Sequence, residues 1–225
     1  MQLKRKVYGH SLVIIGSFNP EIFQPLWFAS EGLVGKHEAE NANIRVIHQD
    51  ITDLEIKGIT IRVTRDQFFA STLQDGFFEI LKDLVIGTFS ILSHTPVTAL
   101  GINQEMHIEL SKTTSWSDYV SAVVNANYWN ELLGKATMDN ISYQRKRENN
   151  EAGYQKISLQ PSGRVPNGLF FSLNDHYDLE ADNINNANRV VEIIERKWQE
   201  SIATGQTLIE TLLEKAYYDR TNRKT

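Results

Sequence analysis

Val97 to Leu110 reads VTALGINQEMHIEL, and this stretch constrains the fold more than any other part of the chain. Leu100, Ile102, Met106, Ile108 and Leu110 alternate with Asn103, Glu105, His107 and Glu109. Successive side chains of a strand point to opposite faces of its sheet, so this pattern describes a long strand with one face in a core and one in water. The expected setting for such a strand is an antiparallel sheet with helices packed over one face.

The rest of the chain supplies the partners for such a strand. Val7 to Ile15 and Ile44 to His48 are β-branched and apolar enough for strands. In LEIKGITIRV, Lys57-Gly58 separates two alternating runs, a hairpin signal in which glycine supplies a positive φ. Met138 to Gln144, Tyr154 to Gln160 and Leu169 to Tyr177 complete the set of strands. Helical spacing appears in Asp75 to Leu92, with Phe77, Ile80, Leu81, Leu84 and Val85 on one stripe. Two further helices are expected. One is Asp118 to Leu133, capped by Ser117, with Tyr119, Val123, Ala126 and Trp129 on its stripe and Gly134 closing it. The other is Asn183 to Ala203, which carries Ile184, Ala187, Val191, Ile194 and Trp198. Gly205 is expected to break this last helix, and Thr207 with Glu210 to cap a short mobile helix over 206–219.

Written as elements, the order is strand, helix, three strands, helix, and then the same again. The expected fold is a single α+β domain spanning 1–225, made of two pseudo-repeats at about 7–92 and 97–203 with helices on one face of the sheet. RVTRDQF (Arg62 to Phe68) and SLNDHY (Ser172 to Tyr177) end corresponding strands in a similar way. The twofold order resembles the saddle of the TATA-box-binding-protein fold, which implies a continuous antiparallel sheet with two long helices on one side. Fold alone carries no function. A second resemblance rests on IRVTRDQF (Ile61 to Phe68), a helix, VTALGINQEMHI (Val97 to Ile108) and the long C-terminal helix. This pattern is similar to a sporadically distributed family of uncharacterised bacterial proteins. The patchy occurrence of that family implies an accessory system such as phage defence.

Composition removes several chemistries. The chain has no cysteine, which excludes disulfides, thiolate metal sites and cysteine nucleophiles. Its formal net charge is −5, so bulk attraction to a polyanion is absent. The basic clusters Lys4-Arg5-Lys6, Arg145-Lys146-Arg147 and Arg220 with Arg223-Lys224 read as solvated ends and loops. No apolar run is long enough for a bilayer and no signal peptide is evident, so a cytoplasmic protein is expected. Walker, Rossmann, zincin and serine-hydrolase motifs are all missing, and no cofactor or metal is expected.

Candidate sites remain. Alternation places Phe170, Ser172, Asn174, His176 and Asp178 on the open face, with His107 and Glu109 beside Asn103 and Glu105. His107, Glu109, His176 and Asp178 are the candidate catalytic groups, because a carboxylate two residues from a histidine on a strand can orient an imidazole. His48 and Asp50 form a third such pair. In HYDLEAD (His176 to Asp182), Asp182 or Asn183 also suits a helix cap, and Glu180 the positive end of a helix dipole. The aromatic segment Ile22 to Phe28 supplies Phe23, Trp27 and Phe28 as candidate partner-binding residues, against the alternative that they pack helix to sheet. Tyr128-Trp129 is a second dense aromatic pair.

Two functions follow from these readings. The first is a non-catalytic protein-interaction or accessory component that contacts a protein partner. The second is an enzyme using the His–carboxylate groups of the open face. Nucleic acid is not expected there, because Asp66, Glu105, Glu109 and Asp178 outnumber Arg62 and Lys156 on that face and few of its positions are apolar.

Overall fold

The computed structural model describes residues 4–112, 114–124, 132–133, 137–147, 152–179 and 187–222. Among the described residues, nine strands form one sheet. They are β1 (Lys4–Gly16), β2 (Asn43–His48), β3 (Ile51–Ile56), β4 (Ile59–Thr64), β5 (Gln67–Thr72), β6 (Val97–Glu109), β7 (Ile141–Lys146), β8 (Gly153–Pro161) and β9 (Gly168–Asp178). Their order across the sheet is β2-β3-β4-β5-β1-β6-β9-β8-β7, and every neighbouring pair is antiparallel. The helices are α1 (Pro25–Ser30), α2 (Lys36–Glu40), α3 (Phe78–Ile91), α4 (Trp116–Val123) and α5 (Asn188–Asn222). No helix among the described residues is long and apolar enough to cross a membrane.

The protein is thus α+β, and its apolar residues sit where the sheet meets the helices. The larger core cluster joins Leu12 and Ile14 of β1, Leu54 and Ile56 of β3, Ile59, Ile61 and Val63 of β4 and Phe68 of β5 to α3 and the first half of α5. The smaller one joins Met106 and Ile108 of β6, Leu169 and Phe171 of β9 and Leu159 of β8 to Tyr119, Val120 and Ile209. In β9, Leu169, Phe171, Leu173 and Tyr177 are buried while Phe170, Ser172, Asn174 and His176 are only partly so. The expected faces hold.

Local chemistry accounts for the joints. Lys57 and Gly58 both take positive φ, 50° and 71°, as the tight turn of the β3–β4 hairpin requires. A 3-10 turn over Pro20–Ile22 precedes α1, which starts at Pro25, where a proline needs no N–H. Ser115, two residues before the expected cap, closes a capping box with Asp118 to begin α4. That helix ends at Val123, with Val124 extended. The expected continuation through Ala126 and Trp129 to Gly134 lies outside the described residues but for Leu132 and Leu133.

Two expectations change. From residue 97 the order is strand, helix, three strands, helix, but the first half carries four strands after its short helices. The additional strand is β5. Arg65 and Asp66 turn the chain back, so RVTRDQF spans a turn whereas SLNDHY lies within β9. The second change is at Gly205, where α5 runs straight through with no separate C-terminal helix. A Cβ at Gly205 would stand 2.2 Å from Gln104 Nε2, so the glycine lets the helix approach the sheet. Burial of Ile209 beyond it offsets the propensity cost of about 1 kcal/mol.

Candidate functional site

The face of the sheet that carries no helix among the described residues is built from the alternate residues of each strand, and the pairing registers align them into rows. One row crosses seven strands: Glu55, Thr60, Ser71, Ser11, Asn103, Asn174 and Lys156 are successive partners. Between the charged ends, five hydroxyl and carboxamide side chains succeed one another at the strand spacing of about 4.8 Å. Each can both donate and accept hydrogen bonds. None of the five makes a side-chain hydrogen bond among the described residues, and Asn174 Oδ1 is buried without a partner.

Above this row lies a groove of about 520 Å³. Its walls are Leu73 and Gln74 after β5, Gly58 of the β3–β4 hairpin, and Arg164 from the β8–β9 loop. Phe69 and Phe170 line it as well, and Ser172 and Glu105 extend its floor. Gly9 is bare because a Cβ there would meet Leu73 Cδ2 at 2.4 Å.

Most of the charges at the margins of this face are paired among the described residues, with Lys146 and Lys156 as exceptions. Asp53 is held by Arg45 at 2.7 Å and by Arg62 at 2.7 Å, Arg45 reaches Glu55 at 3.1 Å, Arg164 meets Glu105 at 3.2 Å, and Lys6 meets Glu109 at 2.7 Å. Burial opposes ionisation of Asp53, but the two arginines outweigh it and hold the carboxyl below its usual range. The expected excess of carboxylates on this face is corrected by the fold. Arg45 and Arg164 come from a bulged edge strand and a loop, and Lys146 from β7, none of which was assigned to the face from alternation. The face also has more apolar positions than expected: Val7, Val13 and Phe69 share it with Phe170.

The expected catalytic groups do not converge. His107 pairs with Phe170 across β6 and β9, whereas His176 pairs with Gly101, six residues along β6, which is about 20 Å. His107 packs against Phe170 with ring centres 4.6 Å apart and planes tilted by 31°, and its Nδ1 hydrogen-bonds the Ser162 hydroxyl at 2.8 Å. His176 stacks on Tyr154 at 4.5 Å. Burial lowers the pKa of both imidazoles, against the opposing charges of Glu105 and Asp178 respectively. Glu109 is engaged by Lys6, and Asp178 is exposed. His48 and Asp50 lie in the open at the sheet edge, 3.5 Å apart, with Arg65 on the aspartate. Among the described residues no three His, Asp or Glu side chains gather as a metal-ligand set.

The aromatic segment turns inward. Phe23 and Phe28 are 1% and 0% exposed and belong to the larger core cluster, so neither side chain is available to a partner. Trp27 packs half-buried against both rings, and Gln24 and Leu26 are the exposed members of the segment. Tyr128-Trp129, Glu180, Asp182 and Asn183 lie outside the described residues.

Several key residues were not legible in the sequence. Asp175 points to the covered face, where it pairs with Arg147 and accepts from the Tyr177 hydroxyl at 3.3 Å. The Arg147 guanidinium lies 3.5 Å from the centre of the Tyr177 ring. His10 is buried against Phe78, at 3.9 Å between ring centres, and neither of its nitrogens has a hydrogen-bond partner. Alternation does place Ser11 opposite His10, but nothing in the sequence shows that five strands align Thr60, Ser71, Ser11, Asn103 and Asn174.

Fold and site together define an α+β protein with a neutral, polar groove on the open face of an antiparallel sheet. No family model matches the chain, and no curated protein matches it.

Proposed function

We propose that the protein is a non-catalytic interaction module which holds a protein partner on its open sheet face. The observation that carries this is the row from Thr60 to Asn174, whose side chains have unused hydrogen-bonding capacity beneath a groove. Convergent polar groups in a concave site are the general mark of a binding surface. The partner surface moves, in this reading, from the aromatic segment at 22–28 to the groove. The enzyme alternative is weaker, because His107 and His176 are far apart and each is packed against an aromatic ring. The resemblance carried by Ile61–Phe68, Val97–Ile108 and the long C-terminal helix to a patchily distributed bacterial family supports an accessory role.

The test is affinity purification of the tagged protein from its native cells, with bound proteins identified by mass spectrometry. Ser11→Trp fills the floor of the groove, and His107→Ala removes the better-held imidazole. A partner retained by the wild type and by His107→Ala, and lost by Ser11→Trp with its melting temperature unchanged, is the expected result. Turnover of a defined substrate that disappears in His107→Ala or His176→Ala would overturn the reading.

A further inference from the structure

At the centre of the open face, the carboxamides of Asn103 and Asn174 lie side by side over Gly101. A Cβ built on Gly101 would meet Asn103 Oδ1 and Nδ2 at 3.5 Å each and Asn174 Oδ1 at 3.8 Å, which is ordinary van der Waals contact. Neither crowding nor backbone conformation therefore requires glycine here, since Gly101 is not among the residues with positive φ. A glycine inside a strand weakens it, and such a glycine often marks the close approach of a ligand or another backbone.

The two asparagines are as unusual as the glycine beneath them. They are direct partners on β6 and β9, yet no hydrogen bond joins them. Asn174 Oδ1 is removed from solvent and has no partner, a state that costs stability in the free protein. Thr60, Ser71 and Ser11 continue the same uncharged row, and the carboxylates nearest to the groove, Glu55 and Glu105, are each held by an arginine.

Resting on the proposed function, we infer that Asn103 and Asn174 are the recognition point for an extended, uncharged segment of the partner's polypeptide. A peptide group presents an N–H and a C=O, and a carboxamide answers both. The charged residues that line the groove, Glu55, Glu105 and Arg164, are all paired, so phosphate and ammonium groups find no free counter-charge within it, Lys156 lying beyond its end. A planar ligand that relies on stacking finds one face of Phe170 already taken by His107. From Thr60 to Asn174 the row spans five strands, about 19 Å, which matches about six residues of extended chain.

The experiment uses a library of capped random hexapeptides lacking Asp, Glu, Lys, Arg and His, selected on the full-length protein. The side-chain amide signals of Asn103 and Asn174 are followed in ¹⁵N–¹H spectra, with maltohexaose and adenosine as separate arms. Selected peptides are expected to shift both signals. Asn174→Leu is expected to weaken them at least tenfold while raising the melting temperature, because it removes a buried acceptor without a partner. A peptide set held equally well by Ser11→Trp would overturn the inference, as would a lowered melting temperature in Asn174→Leu, or shifts produced only by maltohexaose or adenosine. If Asn174→Leu still binds the native partner fully while Ser11→Trp does not, this inference fails and the interaction role stands.

Discussion

Gln104 donates through Nε2 to the main-chain carbonyl of Ser201, 2.9 Å away, and thereby ties β6, next to the central strand of the sheet, to the middle of the long helix α5. Its Oε1 accepts from the Tyr8 hydroxyl at 3.1 Å, and Gln206 donates to the same hydroxyl at 3.1 Å. A buried carboxamide on the core face is thus satisfied at both ends, and Gly205 gives it room.

Gly205→Ala should therefore destabilise the protein. In an exposed helix the change adds about 1 kcal/mol of stability. Here the methyl group displaces Gln104 and breaks hydrogen bonds each worth about 1 kcal/mol, with added crowding. A net loss of about 1 kcal/mol is expected in urea melts. A raised midpoint would mean that Gln104 moves aside at no cost.

Arg147→Ala leaves Asp175 as a buried carboxylate without its cation. Removing one partner of such a pair typically costs about 3–5 kcal/mol, and the side chains here are only 8% and 2% exposed. The double variant Arg147→Leu, Asp175→Leu should recover most of that loss. Denaturant melts of the two variants test the pair directly, and equal stabilities for the two would show that the charges are not coupled.

His10 predicts acid sensitivity. Burial drives its pKa down to about 4, with the charge of Glu79 partly opposing this. The unfolded chain protonates near 6.5 and the folded one near 4, so the stabilisation from a neutral His10 is complete above about pH 6.5 and declines between about 6.5 and 4. The full effect is about 3 kcal/mol in order of magnitude. Urea melts of wild type and His10→Phe at pH 7.5 and 4.5 should show a smaller drop for the variant. Equal drops would place the acid sensitivity elsewhere.

Duplex DNA should not bind the open face at physiological salt. Arg45, Arg62 and Arg164 are engaged by Asp53, Glu55 and Glu105, which leaves few free cations among the described residues of the face, Lys146 and Lys156 among them, and non-specific affinity grows with the number of phosphates neutralised. Fluorescence anisotropy with a labelled duplex gives the answer. Sub-micromolar affinity that weakens with added salt would contradict this arrangement of charge.

The long strand at Val97, the hairpin at Lys57-Gly58 and the faces of β9 could be read directly, because a period of two and a positive φ are local properties. β5 is hard to separate in the sequence because the two-residue turn at Arg65-Asp66 contains neither glycine nor proline. Gly205 looked like a helix breaker because propensity is a weak local preference that packing against Gln104 overrides. Phe23 and Phe28 could be recognised as an aromatic cluster, yet only their burial shows which way they point.

The sequence by itself determined the class of the fold, the identity of the wet and dry faces, and the absence of cysteine chemistry and of standard catalytic motifs. Those follow from composition and from periodicity along single strands. Only the tertiary structure decided that His107 and His176 stand apart, that Asp175 meets Arg147, and that Thr60, Ser71, Ser11, Asn103 and Asn174 form one row. Each of these depends on the register between strands distant in the chain, which the burial of many side chains sets together and no single segment encodes.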